Sequence, residues 1–137
     1  MSTRAQAALA AVCAVFASAA ARAVDPQPAQ DYMLECRGCH GPDGANEAGG
    51  VPSLLRAARF LALPEGRSYL VRVPGVAGSR LSDTRIAALL NWVLRELARE
   101  PGAGDFTPFT AEEVTRERAR PLADPGAERR RLLGAEN

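Results

Sequence analysis

The sequence predicts an all-α protein. Apolar residues recur at helical spacing over residues 82–99, serine and threonine stand where helix N-caps are expected, and Pro- and Gly-rich breaks separate the segments. No segment shows the alternating pattern of a strand. We expect about four short helices in residues 24–100, followed by a C-terminal extension, residues 101–137, with one short helix and a basic tail.

Residues 1–23 have the features of a cleaved secretory signal peptide. Arg4 gives a positive start, residues 7–20 are small and apolar, and residues 21–23 form an A-x-A cleavage site. The alternative is a retained anchor, but the apolar run is short for a membrane span, and no other stretch is suited to one. Cys13 lies in this leader and is expected to leave with it. The sequence therefore predicts export, which for a bacterial precursor means the periplasm.

The charge balance argues against a nucleic-acid partner. The sequence has 17 basic residues, all arginine, against 16 acidic ones. Loss of two arginines with the leader makes the remaining chain slightly acidic, whereas nucleic-acid-binding domains carry a basic patch.

Helix boundaries follow from capping residues and helix breakers. Ser53, Ser68, Ser82 and Thr110 each precede a segment suited to a helix or a helical turn, and Phe109 is placed to pack against a residue of the last helix. Between the first two helices lies a loop rich in glycine, whose φ angles are permissive. The predicted helical segments are residues 29–35, 54–63, 69–72, 82–99 and 111–120.

The most specific motif is Cys36-Arg37-Gly38-Cys39-His40. The C-x-x-C-H spacing is the signature of c-type haem attachment, because one helical turn brings two thiols and an imidazole to the same face of a porphyrin. The alternatives are half of a zinc site or a dithiol redox site. Zinc would require a second ligand pair, but the chain has one histidine, and the dithiol site would require a βαβ setting. We therefore predict one covalent haem c, with His40 as the metal ligand.

Three segments together resemble the small monohaem class I cytochromes c: CRGCHGPDG from residue 36, GVPSL from residue 50, and LSD at the start of the apolar helix from residue 81. The resemblance covers roughly residues 29–100. It implies that Tyr32 and Trp92 meet where the first and last helices of the haem domain cross. It also implies that Pro52 lies beside His40 and orients its ring. Such proteins are electron carriers or electron-accepting domains of periplasmic dehydrogenases.

The chain departs from this family at the distal face of the haem. The family's distal methionine comes from the loop before the final helix, but that loop, residues 72–80, has Val73 where methionine is expected. Met33 precedes the haem motif and is expected to pack in the core. Three outcomes remain open: a five-coordinate iron behind Val73 and Val76, an oxygen ligand such as water or Tyr69, or a ligand from a partner. We favour the first.

Function follows from these expectations. Tyr69, Arg67 and Arg72 are candidates to hold the haem propionates, with surface roles as the alternative.

We predict a periplasmic electron carrier rather than an enzyme, with a dehydrogenase as donor and a cytochrome or oxidase as acceptor. A sensor or weak peroxidase that binds nitric oxide, carbon monoxide or peroxide at an open iron is the alternative. The tail around residues 129–133 is expected to be a solvated terminus, with docking to an acidic partner as the alternative.

Overall fold

The computed structural model describes residues 25–46, 50–100 and 103–134. The predicted signal peptide and its cleavage site lie outside these ranges. All regular structure in the described residues is helical, which confirms the all-α class. No helix in these ranges has both the length and the apolar character needed to cross a bilayer.

The haem motif follows the first helix almost without interruption. Helix α1, Gln27–Glu35, begins two residues earlier than predicted and has Pro28 in its first turn, where the missing N–H costs nothing. Helix α2, Arg37–His40, is a single turn that contains most of the motif. It ends at Gly41, whose φ of 77° lies in the left-handed region.

Three short helical elements form the middle of the chain. Ser53 caps the first as predicted, but the element that it begins, Leu54–Ala62, is a 3₁₀ helix. Helix α3, Gly66–Arg72, starts before Ser68, so this residue lies inside the helix rather than at its cap. Helix α4, Pro74–Ala77, follows directly and was not predicted.

Helix α5, Asp83–Trp92, forms the centre of the core. Ser82 caps it as predicted, and a π-helical turn, Val93–Leu97, continues it. Helix α1 packs against α5, where the rings of Tyr32 and Trp92 lie 5.5 Å apart between centroids at a tilt of 43°. The buried apolar cluster includes residues of α1, α3, α5 and the π-helical turn: Tyr32, Val71, Ile86, Leu89, Leu90 and Leu94.

The C-terminal extension packs on this core, and its described part, residues 103–134, contains two helices rather than the one predicted. Helix α6, Ala111–Arg118, is capped by Thr110 as expected and packs against α3 and α5, with Val114 fully buried. Helix α7, Pro125–Leu133, includes the segment predicted to be a solvated tail. This helix contacts α3, and its Arg131 pairs with Glu65, just before α3, and with Glu128.

Candidate haem site

The two cysteines and the histidine of the motif lie on one helical turn. The backbone N–H groups of Cys39 and His40 both donate to the carbonyl of Cys36, at 3.2 and 3.0 Å. Both thiols are free; that of Cys36 is half-buried against the apolar core, whereas that of Cys39 is exposed. This arrangement leaves two sulfur atoms available for thioether bonds beside one imidazole.

The His40 ring is oriented by the backbone of Pro52. The Nδ1 atom of His40 lies 3.1 Å from the Pro52 carbonyl oxygen. Because a carbonyl only accepts hydrogen bonds, this contact requires a proton on Nδ1, and the lone pair of a neutral ring is then on Nε2. Such an outer hydrogen bond fixes the tautomer and direction of a metal-binding imidazole.

The loop after the motif folds back and holds both partners of this contact. Asn46 donates from its side chain to the Cys39 carbonyl at 2.8 Å and from its backbone to the His40 carbonyl at 3.1 Å. The Gly44 carbonyl accepts hydrogen bonds from the Ser53 hydroxyl and the Leu54 N–H, in the two residues that follow Pro52. The loop therefore couples the position of Pro52 to that of the motif.

A buried tyrosine holds the end of the motif against helix α1. The Tyr32 hydroxyl donates to the Gly41 carbonyl at 2.6 Å, and the Tyr32 side chain is buried. Since Gly41 follows His40 directly, this hydrogen bond joins the helix crossing to the imidazole. The pKa of Tyr32 is raised, chiefly by burial, so the hydroxyl keeps its proton at neutral pH.

Burial also governs the protonation of the motif. It raises the pKa of the Cys36 thiol to about 11, aided by the negative charges of Glu35 and Asp31. Burial lowers the pKa of His40, while the hydrogen bond to Pro52 acts in the opposite direction. A neutral imidazole is the form that binds a metal ion.

The three candidate propionate ligands, Tyr69, Arg72 and Arg67, contact parts of the chain outside the motif. Tyr69 is buried and stacks on Phe60, with ring centroids 4.5 Å apart. Arg72 donates from Nε to the Arg120 carbonyl at 2.6 Å. Arg67 binds Glu113 through two hydrogen bonds, at 2.8 and 2.6 Å. These partners give no support to the expectation that the three residues hold haem propionates.

Met33 is not a core residue, contrary to our expectation. Its side chain is 46% exposed, because it lies on the face of α1 that turns away from α5. Val76 packs at the margin of the apolar cluster and Val73 is half-buried. In the described residues, therefore, the one methionine lies outside the core, on the helix that precedes the motif.

The donor set fits a covalently attached haem better than a bare metal ion. Thiols three residues apart suit two thioether bonds, and the oriented imidazole suits the metal of a porphyrin. Among residues 25–46, 50–100 and 103–134, no cluster of three or more His, Cys, Asp or Glu side chains could hold a metal ion by itself. An all-helical fold with this motif defines the class of c-type cytochromes.

Comparison with known proteins agrees with this class. The chain is 34% identical to cytochrome c-552 of Thermus thermophilus over 119 aligned residues, which cover 72% of this chain and 91% of the relative. A second cytochrome c-552 of the same species gives the same identity, with 80% of the relative covered. No protein-family model and no solved structure matches the chain. The chain belongs to the monohaem class I c-type cytochromes, which are electron carriers with covalently bound haem c and not enzymes.

Sequence reasoning missed two charged residues that join elements of the fold near the site. Asp31 is buried on α1 and pairs with Arg85 of α5, and Arg118 binds the chain between α4 and α5. The sequence held one signal for Asp31: it stands next to Tyr32, which was expected at the helix crossing. Nothing in the sequence pointed to Arg118, because its partners are mostly backbone carbonyls distant in sequence.

Proposed function

We propose that the protein is exported to the periplasm after loss of residues 1–23 and passes single electrons from a dehydrogenase to a cytochrome or oxidase. Cys36 and Cys39 form the thioether bonds, and His40 is the axial ligand. The observation that carries this assignment is the contact between His40 Nδ1 and the Pro52 carbonyl, which leaves Nε2 as the metal-binding atom.

The haem would supply a one-electron redox couple, and the protein around it would adjust the reduction potential of that couple. Burial of Cys36 against the core and the hydrogen bond from His40 to the Pro52 carbonyl are the features of this chain that would set the potential. The exposed side of the motif, at Cys39, is the expected zone of contact with redox partners. Dehydrogenase and acceptor would dock there in turn, because electron transfer requires a short distance but no stable complex.

Expression in a host that matures c-type cytochromes tests this assignment. The purified protein should lack residues 1–23, gain the mass of one haem and have no thiol that reacts with an alkylating reagent. Cys36→Ala and Cys39→Ala should each lose one thioether bond. Cys13→Ser is the matched control, since Cys13 is expected to leave with the leader. Colourless wild-type protein with two free thiols would contradict the proposal.

Electron transfer is tested separately by stopped-flow mixing with a reduced periplasmic dehydrogenase. We expect a second-order rate of about 10⁵ M⁻¹ s⁻¹ or more, as for productive protein encounters. The rate should fall with added salt if charges around the motif guide docking. Slow reduction by all quinone-cofactor and molybdenum dehydrogenases tested would contradict the role as their acceptor.

A second candidate function is the binding of small ligands at an open iron. The observation that favours it is that residues 73–81 contain no methionine, histidine, cysteine or lysine. Met33 is 46% exposed and lies on α1, the helix that precedes the motif. A high-spin ferrous spectrum that changes on addition of carbon monoxide would support this function. A low-spin spectrum indifferent to carbon monoxide would exclude it.

A further inference from the structure

One arginine of the C-terminal extension binds the backbone between α4 and α5. We call residues 78–82 the α4–α5 connection. Arg118 donates to the Ala77 carbonyl from Nε and Nη2, at 3.3 and 3.1 Å, and from Nη2 to the Ser79 carbonyl. Its Nη1 donates to the Leu81 carbonyl at 3.1 Å and to the Asp83 carboxylate at 2.8 Å. A single guanidinium thus spans the whole connection.

This set of contacts depends on the shape of the arginine side chain. Only a guanidinium has five N–H donors in a rigid planar fork, whereas a lysine ammonium is a point charge with three donors. The Arg118 side chain is only 21% exposed, so little water competes for these hydrogen bonds. Thr115, one turn earlier on α6, adds a hydrogen bond to the same Asp83 carboxylate.

On its other side the connection contacts the residue that precedes the haem motif. The Ser79 hydroxyl donates to the Glu35 carboxylate at 3.3 Å, and Glu35 directly precedes Cys36. Val76, shortly before the connection, packs against the apolar cluster that also contacts Cys36. The α4–α5 connection therefore lies between Arg118 and the helix that leads into the motif.

No bond to a metal can hold this connection in place. Its sequence, Gly-Ser-Arg-Leu-Ser, has no strong metal-binding side chain, and it has no helical structure. Irregular segments with exposed backbone open more readily than packed helices. Hydrogen bonds from Arg118 to the carbonyls of Ala77, Ser79 and Leu81 supply the restraint from outside the segment.

We propose that Arg118 is a positioning residue that holds the α4–α5 connection against the helix that leads into the motif and thereby limits the access of small ligands to the iron. This inference rests on the proposed haem site. The C-terminal extension then has a function in the redox site although it does not contribute to the motif.

Arg118→Leu tests the proposal, because leucine keeps the apolar stem and helix propensity but removes all five hydrogen bonds. Amide exchange of residues 77–82 should become about tenfold faster, and carbon monoxide should bind the ferrous holoprotein about tenfold faster, as expected for loss of at least one charge-assisted hydrogen bond. Arg118→Lys should give a partial effect. Arg116→Leu is the matched control, since Arg116 lies on the same helix, is 63% exposed and, among the described residues, pairs with Glu117 alone.

Several results would overturn the proposal. Unchanged amide exchange rates in residues 77–82 of Arg118→Leu would do so. Exchange rates that rise evenly over α1, α5 and α6 would also do so, because they would show that Arg118 only stabilises the whole fold. Equal carbon monoxide kinetics in wild type and variant, including no binding in either, would also refute it. If Arg118→Leu does not fold, Arg118→Lys decides by the same criteria. Absence of covalent haem from the wild type would instead refute the proposed function, and the exchange comparison would still decide whether Arg118 holds the connection.

Discussion

The ion pair between Asp31 and Arg85 should determine how firmly the first helix is held. Asp31 is only 1% exposed, and its carboxylate accepts hydrogen bonds from Arg85 Nε at 3.1 Å, from Arg85 Nη2, and from Gln27 Nε2 at 2.8 Å. The pair joins α1 to α5 at the crossing that also brings Tyr32 to Trp92. Loss of Arg85 would leave a buried carboxylate with one neutral donor.

The free-energy cost of losing Arg85 can be estimated from the burial of the two side chains. Removing one partner of a fully buried pair costs about 3 to 5 kcal/mol. The Arg85 side chain is 44% exposed, so water already screens part of the interaction. We therefore expect Arg85→Leu to lower the free energy of unfolding by about 2 to 3 kcal/mol, a large part of the roughly 5 to 15 kcal/mol that is usual for a domain.

Urea unfolding of the holoprotein, followed by far-UV circular dichroism, measures this loss. Asp31→Asn removes the charge but keeps a polar group, and the double variant gives the coupling energy. Arg116→Leu is again the exposed control. A change below about 0.5 kcal/mol for Arg85→Leu at pH 7 would show that the pair contributes no more than an ordinary surface contact.

The dependence of stability on pH provides an independent check. The hydrogen bond from Arg85 holds the pKa of Asp31 below its ordinary value of 3.8, against the opposing effect of burial. The resulting stabilisation is present above pH 3.8 and is lost as the pH falls through the lower pKa of the folded state. Arg85→Leu should lose less stability than the wild type over this acid range. Parallel profiles for the two proteins would refute the reasoning.

Two further predictions concern the site and the extension. Tyr32→Phe removes the hydrogen bond to the Gly41 carbonyl but keeps the ring, so urea unfolding should show a loss of about 1 kcal/mol, and an unchanged stability would contradict the role of this bond. The hydrogen bond from Ser68 is the main cause of the lowered pKa of Glu117, so the stabilisation is present above pH 4.5 and is lost as the pH falls through the lower pKa of the folded state. Ser68→Ala should reduce that acid-induced loss in unfolding measurements at stepped pH, whereas an unaltered acid profile would argue against it.

The parts of the fold that could be predicted are those determined by local sequence. Ser82 and Thr110 cap the helices that follow them because their side chains accept hydrogen bonds from the first turn. The spacing of apolar residues in α5 predicted that this helix lies in the core, and the C-x-x-C-H motif predicted the haem. Local signals also existed for α7, with Asp124 as N-cap and Pro125 in the first turn, but its many arginines favoured the interpretation as a tail.

The type of the helix after Ser53 and the partners of individual side chains could not be predicted, because they depend on tertiary contacts. Ser53 caps a 3₁₀ helix and an α-helix in the same way, so its presence did not distinguish them. Tyr69 and Arg72 were candidates for the haem propionates because arginine pairs well with carboxylates, and the contacts that the structure gives them are with Phe60 and the Arg120 carbonyl. Phe60 lies in another helical element and Arg120 in the folded extension, so local sequence could not indicate these partners.

The turn before α3 places a limit on how that helix can move. A methyl group at Gly66 would lie 1.8 Å from the Phe60 carbonyl oxygen, so the two backbones touch where only a hydrogen atom separates them. Glu65 enters this turn in the left-handed region, with φ of 62°. Any side chain larger than that of glycine at position 66 would therefore force the backbone of the 3₁₀ segment, which begins two residues after Pro52, away from α3.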